Sequence, residues 1–326
     1  MKLRLPPGVD PFLVFLILTV VAATFLPCRG DGAGLFALVT KLAITLLFFL
    51  HGAKLSREAI VAGIGHWRLH LLVAAVTFIA FPAVGLVAFW AAKPFLGATL
   101  ASGLLFLCLL PSTVQSSIAF TSIARGNVPA AVCSTTLSNL MGVVLTPLLV
   151  GLLLGALSSG GGVSLDAFLA IGLQLLLPFV LGHLSRPLTA AWIGRHKALV
   201  NLTDRGSILL VVYTAFSAAV VDGLWTHLSP SALLGVLLIN GGILGAAVVT
   251  TGLLAKRFGF SREDQIAIVF CGSKKSLASG VPMAGVLFPA AVVGPVIVPL
   301  MLFHQMQLML CAVLARRYAA ETDRPV

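Results

Sequence analysis

The sequence predicts an all-α polytopic membrane protein of ten transmembrane helices arranged as a 5+5 inverted repeat, with interrupted helices four and nine crossing at the midplane. Three observations carry this. Of 326 residues, 59% are hydrophobic and 10% charged, with a mean hydropathy of +1.09, an apolar excess that no water-soluble core of this size needs. The apolar runs are about 17–25 residues long, enough to cross roughly 30 Å of hydrocarbon. Two of these runs are broken near their centres by polar, helix-poor strings, at corresponding places in the two halves.

The spans are read at 10–27, 34–52, 69–91, 98–124, 128–154, 164–185, 206–222, 230–255, 264–288 and 289–315. Lys2 and Arg4 precede the first like a signal peptide, but Phe25-Leu26-Pro27-Cys28 lacks a small-x-small cleavage site, so the span is read as retained. In the second, Lys41 has a stem long enough to snorkel outward. The fourth is interrupted by Leu110-Pro111-Ser112-Thr113-Val114-Gln115-Ser116-Ser117. The fifth carries Ser134, Thr135, Thr136, Ser138 and Asn139, which suit either a hard cation or interhelical hydrogen bonding. A Gly/Ser linker at 158–163 separates a first repeat, 1–157, from a second, 164–326. The ninth span is interrupted by Cys271-Gly272-Ser273-Lys274-Lys275-Ser276, and His304, Gln305 and Gln307 cluster in the tenth.

Charge placement supports this count. With the N-terminus inside and the loops alternating, 16 of the 21 Lys and Arg fall on inner segments and only Arg29 and Lys93 on outer ones. That is a positive-inside pattern. It predicts cytoplasmic N- and C-termini. Trp67 and Trp192 fall at the inner interface, Trp90 and Trp225 at the outer. The net charge of +11 therefore reflects topology. The basic residues are dispersed and not interleaved with aromatics, which excludes a nucleic-acid surface. The lipid bilayer is the expected partner, and oligomeric state is not predicted.

The ten carboxylates (Asp10, Asp31, Glu58, Asp166, Asp204, Asp222, Glu263, Asp264, Glu321, Asp323) all lie in loops or at span ends. No buried acid pair or H-E-x-x-H is present, so an intramembrane protease is unsupported and no enzymatic activity is expected. The five cysteines have no metal-ligand spacing and read as packing residues.

A helix broken at mid-membrane exposes amides at one end and carbonyls at the other, and so offers sites for anions and cations. Two lysines at such a break are expensive in hydrocarbon, and such groups usually serve a substrate path or a partner. The expected substrate site is Ser112, Thr113, Gln115, Ser116, Ser273, Lys274, Lys275 and Ser276. Candidate cation ligands are Ser117, Thr135, Thr136, Asn139, His304 and Gln305. Lys274 and Lys275 are read either as neutralising an anion or taking a cation's place, or as bonding the broken helix's own carbonyls.

Four strings stand out: Ser122-Ile123-Ala124-Arg125-Gly126-Asn127-Val128, Leu145-Thr146-Pro147, Phe48-Phe49-Leu50-His51-Gly52-Ala53-Lys54-Leu55-Ser56 and Phe270-Cys271-Gly272-Ser273-Lys274-Lys275-Ser276-Leu277-Ala278. In them the chain resembles the bile acid:sodium symporter superfamily, in particular its symporter-like branch. The resemblance implies a panel domain of spans 1, 2, 6 and 7 and a core domain of spans 3–5 and 8–10. Substrate would bind between them and sodium behind the crossover. Thr135 matches the family's threonine in helix five. The family's Ser-Asn pair falls on Ser117 and Ile118, and its helix-nine glutamate at about Val269, so those two sodium ligands are replaced here. The function expected is secondary active transport of a small organic anion by alternating access, with Na+ as the candidate coupling ion and no other cofactor. The alternative is a sodium-independent carrier, or a regulatory transporter-fold protein affecting ion homeostasis or envelope assembly.

Overall fold

The structure, a computed structural model, describes residues 11–54, 63–157, 165–223 and 229–322. Lys2, Arg4, Asp10, Arg57, Glu58, Trp225, His227, Asp323, Arg324 and the linker 158–163 lie outside the described residues. All the regular structure described is helical.

The helices are α1 (Pro11–Phe25), α2 (Asp31–Lys54), α3 (Trp67–Leu109), α4 (Gln115–Ile123), α5 (Val128–Leu154), α6 (Leu165–Arg195), α7 (Lys197–Val221), α8 (Pro230–Arg257), α9 (Arg262–Gly272), α10 (Leu277–Leu287) and α11 (Ala290–Thr322). Among the described residues α2, α3, α5, α7, α8 and α11 are each long and apolar enough to cross a membrane. The chain is a multi-span membrane protein.

Local chemistry sets the boundaries. Asn127, Ser229, Ser261 and Ser276 each cap a helix by accepting from the amide three residues on, which satisfies one of the first-turn N–H groups. α3 contains spans three and four up to the break. It turns at Gly97, whose φ of 77° and ψ of 165° are open essentially only to glycine. The chain folds back there, so that Gly85 lies against Cys108.

Both predicted interruptions are present. The fourth span is the arm 98–109 followed by α4, with extended backbone at Leu110 between them. The ninth is α9 followed by α10, each of 11 residues and about 16 Å long. Neither piece alone reaches across roughly 30 Å of hydrocarbon.

Spans six and seven differ from the sequence expectation of 164–185 and 206–222. α6 continues to Arg195 and α7 begins at Lys197, with only His196 between them. Hydropathy ended those spans at Arg186 and Arg205, but charged residues suit a helix well and leave hydrocarbon only in a transfer sense. The added turns are polar and meet at His196.

α2 and α6 approach each other closely. A Cβ on Gly52 would stand 1.9 Å from the Phe179 carbonyl oxygen, and one on Gly182 1.9 Å from that of Phe49. This reciprocal pair of glycines lets the two backbones touch, as small residues do in membrane bundles. α7 packs on α1 and α2, while α3, α8 and α11 surround the broken spans.

Candidate functional site

The two breaks complete each other's backbone. A helix that stops leaves its last carbonyls without amide partners, and burying them unpaired costs free energy. At the first break, Leu109 accepts from Thr146 Oγ1 at 2.8 Å and Ser112 from Asn139 Nδ2 at 2.8 Å. Pro111 accepts from the Ser276 amide at 2.9 Å. Lys275 Nζ donates to the carbonyls of Cys108 (2.9 Å) and Leu110 (2.7 Å). At the second break, Phe270 accepts from Ser117 Oγ at 2.8 Å and Cys271 from Ser112 Oγ at 2.5 Å.

Lys275 also donates to the Thr77 carbonyl at 3.0 Å. The local backbone leaves that oxygen available. Residues Val76–Ala80 form a π-turn, in which the Phe81 amide bonds to Val76 instead of Thr77. The next residue, Pro82, has no N–H to offer. The peptide of Lys275 is held by Gln307, which accepts from its N–H at 2.9 Å and donates to its carbonyl at 3.0 Å. Gln307 Nε2 lies 2.9 Å from His304 Nδ1.

Lys274 points elsewhere. Its Nζ donates to Ser116 Oγ at 3.0 Å and stands 4.5 Å from the centre of the Phe120 ring. Both lysines are fully buried, at 0% exposure.

Beside the breaks lies a cavity of about 600 Å³. The first turns of both C-terminal half-helices face it, α4 through Gln115 and Ser116 and α10 through Leu277, Ala278 and Ser279. Leu47 and Phe48 of α2, Phe179 of α6 and Ile208 of α7 form an apolar wall opposite. His51, Lys54, Asn201, Asp204 and Arg205 form its charged end, where Lys54 and Asp204 make an ion pair.

The predicted substrate residues thus divide. Thr113, Gln115, Ser116 and Ser276 line the cavity. Ser112, Ser273, Lys274 and Lys275 are wholly buried behind its wall, Ser112 and Lys275 as donors to the opposite break and Ser273 as a donor to Val269 within its own helix. Of the candidate cation ligands, Thr136, Asn139 and His304 line the cavity. Ser117 caps Phe270, Thr135 donates to Ala131 at 2.8 Å within its own helix, and Gln305 Oε1 is buried with no hydrogen-bond donor among the described residues. Lys41 is exposed on α2, away from the cavity.

Sequence reading missed the charged end of the cavity. It placed Lys54 and Arg205 among the inner basic residues and Asp204 in a loop or at a span end. The signal was the continued helical spacing beyond the apolar runs. His51 and Lys54 are three apart, and Asn201, Asp204 and Ile208 follow at three and four.

Broken helices packed around a half-open cavity with polar groups at its wall define a membrane transporter. The model of the SBF-like CPA transporter family matches residues 10–320, and the chain belongs to that family. It is 60% identical over 96% of its length to an uncharacterized protein of Pseudomonas aeruginosa, of which the match covers 94%. It is 54% identical to "Putative symporter YfeH" of Escherichia coli, with 97% and 94% of the two chains covered. Identity to sodium/bile acid cotransporter 7-B of Xenopus laevis is 30%, over 93% and 90%.

Proposed function

We propose that this protein is a secondary carrier of a small organic anion, working by alternating access. The observation that carries this reading is the convergence of two half-helix N-termini, those of α4 and α10, on one cavity. Unpaired amides and the helix dipole make each such end electropositive. Arg205 and Lys54 add positive charge at the cavity's far end, offset by a single lining carboxylate among the described residues, Asp204. The apolar wall of Leu47, Phe48, Phe179 and Ile208 suits a hydrocarbon body. The carboxylate or similar head of a substrate would sit at the amide ends, its body along that wall.

In this reading spans 1, 2, 6 and 7 move as a panel against a core of spans 3–5 and 8–10, the two sets descending from five-span inverted repeats. The glycine contact of α2 with α6 supports a stiff panel, and the reciprocal capping of the breaks supports a stiff core. The cavity lies between them. With the 16-to-2 distribution of basic residues, its charged end faces the cytoplasm of a bacterial inner membrane and both termini are cytoplasmic.

The test is thermal unfolding of the purified protein against a panel of amphipathic organic anions and their neutral amides or esters, followed by uptake into proteoliposomes for any anion that stabilises. Binding raises apparent stability by mass action. Saturable stabilisation by anions, and weaker binding on Arg205→Gln, is expected. Equal stabilisation by the neutral analogues, or no response to any anion, overturns the reading.

A further inference from the structure

We infer that the carbonyl cage at the first helix break is a monovalent-cation site filled permanently by the chain's own Lys275 ammonium, so that this position takes up no metal ion. The inference rests on backbone geometry and stands whatever the cavity carries.

Three carbonyl oxygens converge on one point. They belong to Thr77, Cys108 and Leu110, at 3.0, 2.9 and 2.7 Å from Lys275 Nζ. Two come from the C-terminal end of a half-helix, where the dipole is negative. The third is freed by the π-turn and Pro82. Inward-facing carbonyls of broken membrane helices are ligands for small monovalent cations. The occupant here is covalently attached.

Hydrogen-bond accounting identifies its charge state. An ammonium has three N–H donors and no acceptor, and each of the three carbonyls takes one. A neutral amine has only two N–H groups and would turn a lone pair toward the third oxygen. The described partners are three carbonyls and the Phe81 ring, whose centre is 4.0 Å away. Aromatic faces attract cations. No carboxylate among these partners competes for the charge.

The site is built to hold this occupant. Lys275 is fully buried, and its peptide is clamped on both sides by Gln307. The stem therefore starts from a fixed point. Tethering makes occupancy of the cage an intramolecular event.

The experiment measures unfolding temperature of the full-length protein in detergent, with NaCl exchanged for choline chloride at constant ionic strength. The wild-type protein is expected to show no saturable sodium dependence, and no bound sodium by radiolabel. Lys275→Met, which keeps most of the stem's packing, is expected to unfold earlier in choline. It should recover by about 3 °C or more, saturably, with sodium or methylammonium. Lys274→Met, whose ammonium lies outside the cage, is the control and should gain no such response. Saturable sodium binding or stabilisation in the wild type overturns the inference, and this arm needs no variant. So does a Lys275→Met protein that responds to none of these cations.

Discussion

The backbone amide of Ser276 donates to the carbonyl of Pro111 at 2.9 Å, so the breaks in the fourth and ninth spans are joined main chain to main chain across 165 residues of sequence. Ser276 is also the N-cap of α10. One residue thus ends one half-helix's deficit and begins the next helix. The two breaks cannot separate without exposing carbonyls on one side and amides on the other, which makes them a single rigid unit.

Thr146 tests how much that unit depends on each cap. It is fully buried and its hydroxyl satisfies Leu109. Thr146→Val keeps the shape and removes the donor, leaving a buried carbonyl unpaired. It should cost about 1–2 kcal/mol, measured by unfolding in detergent, and Thr146→Ser should recover most of it.

The α2–α6 contact predicts sharp intolerance at two glycines. Gly182→Ala and Gly52→Ala each place a methyl 1.9 Å from a backbone oxygen, which no rotamer change relieves. Each should destabilise the protein by about 1–3 kcal/mol or more by forcing the helices apart. Gly34→Ala, on the same helix with open space around it, should be neutral or slightly stabilising. The readout is unfolding temperature of the three variants side by side.

Lys54 and Asp204 should act on binding more than on folding. Their side chains are 30% and 19% exposed, so the pair contributes only about 0.2–1 kcal/mol to stability. Both line the cavity. Asp204→Asn removes a negative charge and should raise anion affinity, and Lys54→Gln should lower it, each by about two- to fivefold. Affinities from thermal-shift titration with one stabilising anion, at low and high salt, check the sign and its screening.

Several features were legible in the chain because they are written locally. Both interruptions lay where Leu110–Ser117 and Cys271–Ser276 break an apolar run. The caps at Asn127, Ser229 and Ser261 also follow from neighbouring residues. Pro82 marked a missing donor, but the π-turn that makes Thr77 the affected carbonyl is not visible in sequence. The charged end of the cavity was hidden because Lys54 and Arg205 read as ordinary inner-face charges and Asp204 as a loop or span-end carboxylate. Only the packing of α2 against α7 turns them toward one space.

The sequence by itself determined how the chain divides into apolar segments, which of them break, and that two lysines sit in one break. A bilayer selects segments one at a time, by length and transfer free energy, so this information is one-dimensional. The tertiary structure alone decided that Lys275 serves Thr77, Cys108 and Leu110, that Lys274 turns to Ser116 and Phe120, and that the half-helix N-termini share a cavity. A carbonyl left over at a break takes whichever donor packing brings within about 3 Å. For these oxygens the donor lies more than 150 residues away.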